Sequence, residues 1–147
     1  MALDKLSLLS FSYMFWTDWS NESKIEKCGM NGDPKSRQVI VNKNIGWPNG
    51  LTIDYTLNRI WWTDARLNTI ESADLNGNHR RTVLKSGALG HPFGISVFQE
   101  NMYWTDWRSG KLFKGNKFTG GEQIELAVNL RGVMNVAVFH PQRQPAG

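Results

Sequence analysis

Three aspartates stand at matching positions of a repeated block, and they are the first residues here that could do chemistry. Asp18, Asp64 and Asp106 each end an aromatic-Trp-Thr-Asp block, with spacings of 46 and 42 residues. Carboxylates brought together could bind a divalent cation or act as acid and base. Alternatively, each could accept hydrogen bonds from backbone N–H groups within its own repeat. Because the aspartate recurs in every block, the structural interpretation is favoured.

The remaining chemically active residue types show no pattern of a catalytic or metal site. His79, His91 and His140 lack the spacing of metal ligands, and no nucleophile motif is present. Cys28 is the only cysteine, so it cannot form a disulfide within the chain, and a small buried side chain is the favoured interpretation. The sequence therefore predicts a protein that is not an enzyme and needs no cofactor.

The blocks recur at the period expected of a repeat architecture. Around the second block, residues 49–55, 59–65, 69–75 and 81–84 form four β-rich runs separated by Asn, Gly and Asp. The third block repeats this order with four further predicted strands, at 93–98, 102–107, 111–116 and 123–128. Four strands in roughly 45 residues correspond to one blade of a β-propeller. The predicted fold class is all-β.

The blades divide the chain into segments. The first block supplies only three predicted strands, at 13–19, 24–30 and 37–42, and the innermost strand is either missing or replaced by the Leu/Ser run before it. Three blades cannot close a ring, so we expect part of a propeller domain. The predicted segments are an atypical stretch (1–12), a partial first blade (13–42), complete second (43–86) and third (87–129) blades, a closing innermost strand (130–140) and a linker tail (141–147).

Composition indicates an ordinary globular domain. The 147 residues are 40% hydrophobic and 20% charged, and the formal net charge is +4. The basic residues are scattered, with Arg80-Arg81 the only adjacent pair, so a nucleic-acid partner is not expected. The apolar run 6–16 is too short to cross a bilayer and lacks a convincing signal cleavage site. We expect no membrane insertion by this chain.

Longer runs carry a resemblance to a known family. Asn49–Asp54 precedes the second block, Ile70–Asn78 follows it, and His140–Pro145 ends the pattern. With the blocks at 15–19, 62–64 and 103–107, these runs resemble the YWTD repeats of the LDL receptor and LDL-receptor-related proteins. The resemblance implies a six-bladed extracellular propeller followed by an EGF-like module, in the ectodomain of a type I membrane receptor. Such a receptor either binds and internalises protein ligands or acts as a signalling co-receptor. Residues 132–139 resemble the innermost strand that closes such a ring.

Strand parity predicts one face for ligand binding. In a four-stranded antiparallel blade, the loop before the innermost strand and the loop after the second strand open on the same side. Aromatic and arginine side chains are typical anchors of protein interfaces. The alternative is that Trp47 and Phe93 cap the core and Asn49-Gly50 is only a turn. The predicted ligand-binding residues are Trp19, Trp47, Asn49, Arg66, His91, Phe93, Trp107 and Arg108, and the structural motif residues are Trp16, Asp18, Trp62, Asp64, Trp104 and Asp106.

The resemblance also suggests what this face binds. In the Wnt co-receptor members, an asparagine in a motif similar to Trp47-Pro48-Asn49-Gly50 holds an Asn-x-Ile peptide of the ligand. Val133-Met134-Asn135 departs from the Pro-Met-Asp pattern of the family. His91 is the candidate for pH-dependent ligand release, since imidazole titrates near endosomal pH. Asn21-Glu22-Ser23 is an acceptor triplet that predicts N-glycosylation at Asn21.

Two other functions stay open. The chain could be a structural propeller segment without its own ligand, and its open blade edges could favour self-association. Less favoured is a metal-dependent hydrolase of the lactonase type, because Asn49-Gly50-Leu51 resembles one ligand segment of those propellers. No second matching segment is present.

Overall fold

The computed structural model describes residues 12–143, and β-strands dominate this range. One 3₁₀ turn, Pro34–Ser36, lies between the second and third strands. The predicted stretch 1–12 falls almost wholly outside the described residues, as do the last four residues of the predicted tail. The strands are β1 Tyr13–Asp18, β2 Lys24–Gly29, β3 Gln38–Val41, β4 Pro48–Asp54, β5 Arg59–Asp64, β6 Thr69–Asp74, β7 Arg81–Lys85, β8 Pro92–Phe98, β9 Asn101–Asp106, β10 Lys111–Asn116 and β11 Ile124–Ala127.

These strands form three antiparallel sheets that are successive blades of a propeller. Blade 1 has the order β1-β2-β3, blade 2 the order β4-β5-β6-β7, and blade 3 the order β8-β9-β10-β11. β4 and β8, the innermost strands of blades 2 and 3, lie side by side, and β4 also contacts β1, the strand of blade 1 that carries the Trp-Thr-Asp block. Every predicted blade strand agrees with the observed one to within a residue at each end. The all-β, partial-propeller prediction is confirmed.

Adjacent tryptophans of β5 join blade 2 to both of its neighbours. Because successive residues of a strand point to opposite faces, Trp61 packs toward blade 3 and Trp62 toward blade 1. Both rings are fully buried. Burying a ring of this size stabilises the fold by about 2–3 kcal/mol from the area removed from water. The aromatic area on both sides of this strand thus supplies the cores of two blade interfaces.

The innermost strands of blades 2 and 3 each begin with a shift in their pairing register. A threonine of the neighbouring strand accepts a hydrogen bond from a backbone N–H at this shift. The shifts lie between Pro48 and Leu51 in β4 and between Pro92 and Ile95 in β8. Within blade 2, Gly50 N donates to the hydroxyl of Thr63 at 3.0 Å. In blade 3, the corresponding Gly94 N donates to Thr105 at 2.9 Å. The third residue of the block thus completes the hydrogen bonding of the bulged strand.

The same hydroxyls join each blade to the next. Thr17 donates to Asn49 O at 2.9 Å, and Thr63 donates to Phe93 O at 2.6 Å. Thr105 donates to Met134 O at 2.9 Å. Asn49, Phe93 and Met134 therefore occupy equivalent positions, one blade apart.

The predicted closing strand at 132–139 is wrong as secondary structure, because these residues belong to no hydrogen-bonded ladder. Their path nevertheless follows β8. A Cβ added to Gly94 would lie 2.6 Å from Asn135 Cα, and Val138 N donates to Ser96 Oγ at 3.1 Å. The partner that would pair with this segment in a closed ring is a strand like β1, which lies on the far side of blade 2. Without that neighbour, the segment forms no ladder on its outer side.

Candidate protein-binding face

Four aromatic side chains from the predicted face meet in one cluster. The ring of His91 lies 6.4 Å from Trp47, 6.4 Å from Phe93 and 5.5 Å from Trp107, measured between centroids. Trp47 and Trp107 stay 43% and 52% exposed. The backbone fixes this arrangement, since Trp107 N donates to His91 O at 2.9 Å. We call this set, with Asn49 added, the aromatic rim.

Asn49 links blade 2 to blade 3 within the aromatic rim. Its Nδ2 donates to Pro92 O at 3.2 Å and lies 3.5 Å from His91 Nε2. The Asn49 carbonyl is itself held by Thr17 of blade 1. No hydrogen bond from the described part of the chain reaches Asn49 Oδ1. The side-chain amide is thus oriented through Nδ2, while its Oδ1 has no hydrogen-bond partner among the described residues.

Two further predicted residues lie beside this rim, between blades 1 and 2. Trp19, Arg66 and Trp47 line a cavity of about 710 Å³. Arg66 crosses the backbone of Gly46 so closely that a Cβ at Gly46 would lie 2.7 Å from Arg66 Cβ. Trp19 is 62% exposed.

Arg108 lies on the blade 3 side. It packs against Gly90, where an added Cβ would be 3.2 Å from Arg108 Cδ. With Trp107 and Arg131 it lines a second cavity, of about 500 Å³. The structure therefore gathers five predicted residues into the aromatic rim and leaves Trp19, Arg66 and Arg108 on its flanks.

Asp64 fixes the two loops of blade 2 that carry the face. Its carboxylate accepts from the backbone N–H groups of Gly46 at 2.7 Å and of Trp47, Arg66 and Leu67 at 3.0 Å each. Its side chain is fully buried. Four donors compensate the loss of hydration of one ion, and two of them belong to residues of the predicted face.

Asp106 repeats this arrangement in blade 3, and Asp18 does so in weaker form. Asp106 accepts from His91 N at 2.9 Å and Ser109 N at 2.8 Å. Burial opposes its ionisation, but these donors outweigh burial and hold the pKa of Asp106 below its ordinary value of 3.8. Asp18 accepts from Ser20 N at 3.0 Å, a contact that lowers the pKa of Asp18. Within residues 12–143, no three His, Cys, Asp or Glu side chains are grouped to hold a metal ion.

The tryptophan at the second position of each block is covered by an arginine in blades 1 and 2 and by an aromatic ring in blade 3. Arg37 lies over Trp16 at 5.6 Å and pairs with Glu26. Arg80 lies over Trp62 at 5.3 Å and pairs with Glu71. In blade 3, Phe113 stands at the position that the glutamate has in the other two blades, and it stacks on Trp104 with 5.3 Å between ring centroids. These tryptophans lie inside or against blade faces and are separate from the aromatic rim.

Sequence reasoning missed the inter-blade polar contacts. The sequence predictions give no role to the block threonines or to Lys117, although the ammonium group of Lys117 pairs with Asp54, 63 residues away. Both side chains are almost fully buried. The recurrence of threonine in the block could have indicated the first contact, since a buried hydroxyl requires a partner. No local signal indicates the second.

Comparison with known proteins gives consistent matches. The sequence matches the family described as low-density lipoprotein receptor repeat class B over residues 12–55 and 58–99. The vitellogenin receptor Yl of Drosophila melanogaster is 40% identical over 132 residues, which cover 90% of this chain and 6% of the receptor. The vitellogenin receptor of Solenopsis invicta is 38% identical over 132 residues, covering 90% and 7%. This chain thus spans less than a tenth of these relatives.

Solved structures give the same fold. A chain in a crystal structure of a nidogen/laminin complex superposes with a TM-score of 0.74 at 29% identity, covering 85% of this chain and 47% of that one. A luciferin-regenerating enzyme gives 0.66 at 16% identity, with coverages of 82% and 41%. A streptogramin B lyase gives 0.66 at 15%, with 87% and 42%. The last two show the fold alone.

The blades and their Trp-Thr-Asp contacts define a β-propeller built from YWTD repeats. The family match covers more than half of the chain, and both relatives named above are receptors. The chain belongs to the low-density lipoprotein receptor class B repeat family. Among residues 12–143, no helix has the length and apolar character needed to span a membrane.

Proposed function

We propose that this chain is a non-enzymatic, extracellular protein-binding module in the ectodomain of a type I membrane receptor. The observation that carries the proposal is the aromatic rim, where Trp47, Asn49, His91, Phe93 and Trp107 from two blades meet on one face. Family membership and the receptor relatives support the extracellular placement. The nidogen/laminin structure that this chain resembles is a complex between proteins, which supports a protein as the ligand of this chain.

The exposure of the rim favours a protein ligand over a small molecule. Trp47 and Trp107 present half-exposed rings, which are typical of interface hot spots. Arg66 and Arg108 flank these rings, so a ligand segment with carboxylates outside its apolar anchor would be favoured. The arginines are spread along the face, which suits an extended peptide.

Asn49 would recognise an amide of that peptide. Its Nδ2 donates to Pro92 O and lies 3.5 Å from His91 Nε2, a long contact that a ligand carbonyl would replace, and Oδ1 is left for a donor of the ligand. A side-chain amide on the ligand offers the complementary donor and acceptor. An Asn-x-Ile segment would place such an amide beside an apolar residue that could contact the rim.

The test uses a fluorescent synthetic peptide containing Asn-x-Ile, with an Ala-x-Ala peptide as its control. Fluorescence polarisation should show saturable binding of the first peptide only. Asn49→Ala should weaken binding at least about tenfold, equivalent to about 1.4 kcal/mol. Asn78→Ala is the matched control, because Asn78 lies in the turn after β6, at the opposite end of the blade. Circular dichroism checks that both variants fold.

Unchanged affinity in Asn49→Ala would refute the role of this residue. If neither peptide bound, the alternative of a propeller segment without its own ligand would be favoured. Divalent-cation-dependent ester or lactone hydrolysis would favour the hydrolase alternative.

We further propose that the open sides of blades 1 and 3 are covered in the working receptor. Met14 and Val39 of blade 1 and Ile124 of blade 3 are about half exposed. Further blades of the same ring would cover such surfaces, with an adjacent EGF-like module, and a second copy of this chain is the other candidate. Light scattering after size-exclusion chromatography distinguishes a monomer from a defined dimer.

A further inference from the structure

We propose that Asn21 carries an N-linked glycan whose first N-acetylglucosamine packs on the ring of Trp19, and that this glycan occupies the cavity between blades 1 and 2. The inference rests on the extracellular placement in the proposed function. It removes Trp19 and Arg66 from the protein-binding set and assigns them to the glycan, which leaves Arg108 as the flank available to a protein ligand.

The loop between β1 and β2 presents Asn21 at a fixed tip. Its start is held by Asp18, which accepts from Ser20 N at 3.0 Å. Its end is held by Ser23, whose hydroxyl is 3.0 Å from Ser20 O and 2.5 Å from Gly46 O. Asn21 lies between these anchors and is exposed. Asn21-Glu22-Ser23 is the only Asn-x-Ser/Thr triplet in the sequence.

Trp19 is placed to receive a sugar. It lies two residues before Asn21 at the start of the same turn and is 62% exposed. The equivalent residue of blade 3, Trp107, packs on His91 at 5.5 Å. In the described part of the chain, no aromatic ring packs on Trp19 in that way. The apolar face of an N-acetylglucosamine could cover this ring, because its axial C–H groups suit an aromatic surface.

The cavity beside Trp19 suits the rest of a glycan core. Its volume of about 710 Å³ falls within the range of small-molecule sites, roughly 300–1,000 Å³. Ser20, Glu22, Asn42 and Arg66 line it and supply both donors and acceptors for hydroxyl groups. Trp47 borders the cavity on the side of the aromatic rim. A glycan here would confine protein ligands to the rim and the Arg108 flank.

The test is to secrete the full chain behind an added leader from cells restricted to high-mannose glycans. Mass spectrometry should find Asn21 occupied. Trimming to a single N-acetylglucosamine should remove only the part of the Tm gain that the cavity contacts supply, whereas removing that last sugar should lower the Tm by about 3 °C, the shift expected for loss of one modest contact. Trp19→Ala should abolish the Tm difference that this sugar causes. Trp107→Ala changes the equivalent tryptophan of blade 3, whose loop has no glycosylation triplet, and should retain the Tm difference.

An unoccupied Asn21, or a full Tm difference in Trp19→Ala, would overturn the proposal. Ring-current shifts of isotope-labelled N-acetylglucosamine signals test the same contact without any substitution. Asn21→Gln should bind the Asn-x-Ile peptide with unchanged or higher affinity. Failure of the glycan contact therefore remains distinguishable from failure of peptide binding.

Discussion

Replacing Thr63 with valine tests whether the third residue of the block holds the blades together. Valine keeps the volume and removes the hydroxyl, which accepts from Gly50 N at 3.0 Å and donates to Phe93 O at 2.6 Å. Thr63 is fully buried, so water cannot readily replace these contacts. Leaving one N–H and one carbonyl unpaired at about 1–3 kcal/mol each predicts a loss of about 3 kcal/mol in the free energy of unfolding.

Urea unfolding followed by tryptophan fluorescence measures this loss, with an unchanged m-value as the check on two-state behaviour. Thr17→Val is the matched control, because Thr17 is half-buried and its hydroxyl makes one hydrogen bond within the described residues, to Asn49 O, so the loss should be about 1 kcal/mol. Thr63→Ser keeps the hydroxyl and should cost about 1 kcal/mol for the methyl group. A loss in Thr63→Val no larger than in Thr17→Val would refute the reasoning.

Two further predictions concern charge. Lys117→Met should lower the free energy of unfolding by about 3–5 kcal/mol, since it leaves the Asp54 carboxylate buried without its cation, and adding Asp54→Asn should recover most of the loss in the same urea assay. The folded pKa of Asp106 lies below its ordinary value of 3.8, so the stability it contributes is present above that value and is lost as the pH falls through the lowered folded pKa. Unfolding free energy measured from pH 6 to pH 2 should therefore fall in the acid range, and less steeply in Asp106→Asn; equal slopes would contradict this origin.

The blade strands could be predicted because each is bounded by residues that end strands. Asn31-Gly32, Asn76-Gly77 and their counterparts mark turns, and the strands between them are rich in β-branched and aromatic side chains. Parity then placed Trp47, His91 and Trp107 on one side, where the structure has them in contact. These features are local, so a single repeat contains the information that specifies them.

Contacts between blades could not be predicted in the same way. Lys117 reaches Asp54 only because blades 2 and 3 lie side by side, and nothing near either residue indicates its partner. The segment 132–139 has the composition of a strand, but composition does not supply the neighbouring strand that a ladder requires. Exposure of Trp19 also depends on position, because the same block in blade 3 places Trp107 against a histidine that blade 1 lacks.

The contacts that join the blades also position the candidate ligand face. Thr17 of blade 1 holds the carbonyl of Asn49, and the amide of Asn49 holds the carbonyl of Pro92 in blade 3. Asn49 and Phe93 of the rim are therefore each held by a threonine of the preceding blade, through a hydrogen bond that also joins the two blades. Thr17→Val loosens the interface between blades 1 and 2. It should therefore weaken binding of the Asn-x-Ile peptide, although Thr17 lies outside the aromatic rim. Asn78→Ala changes the turn after β6, at the end of blade 2 opposite the aromatic rim, and should leave peptide binding unchanged.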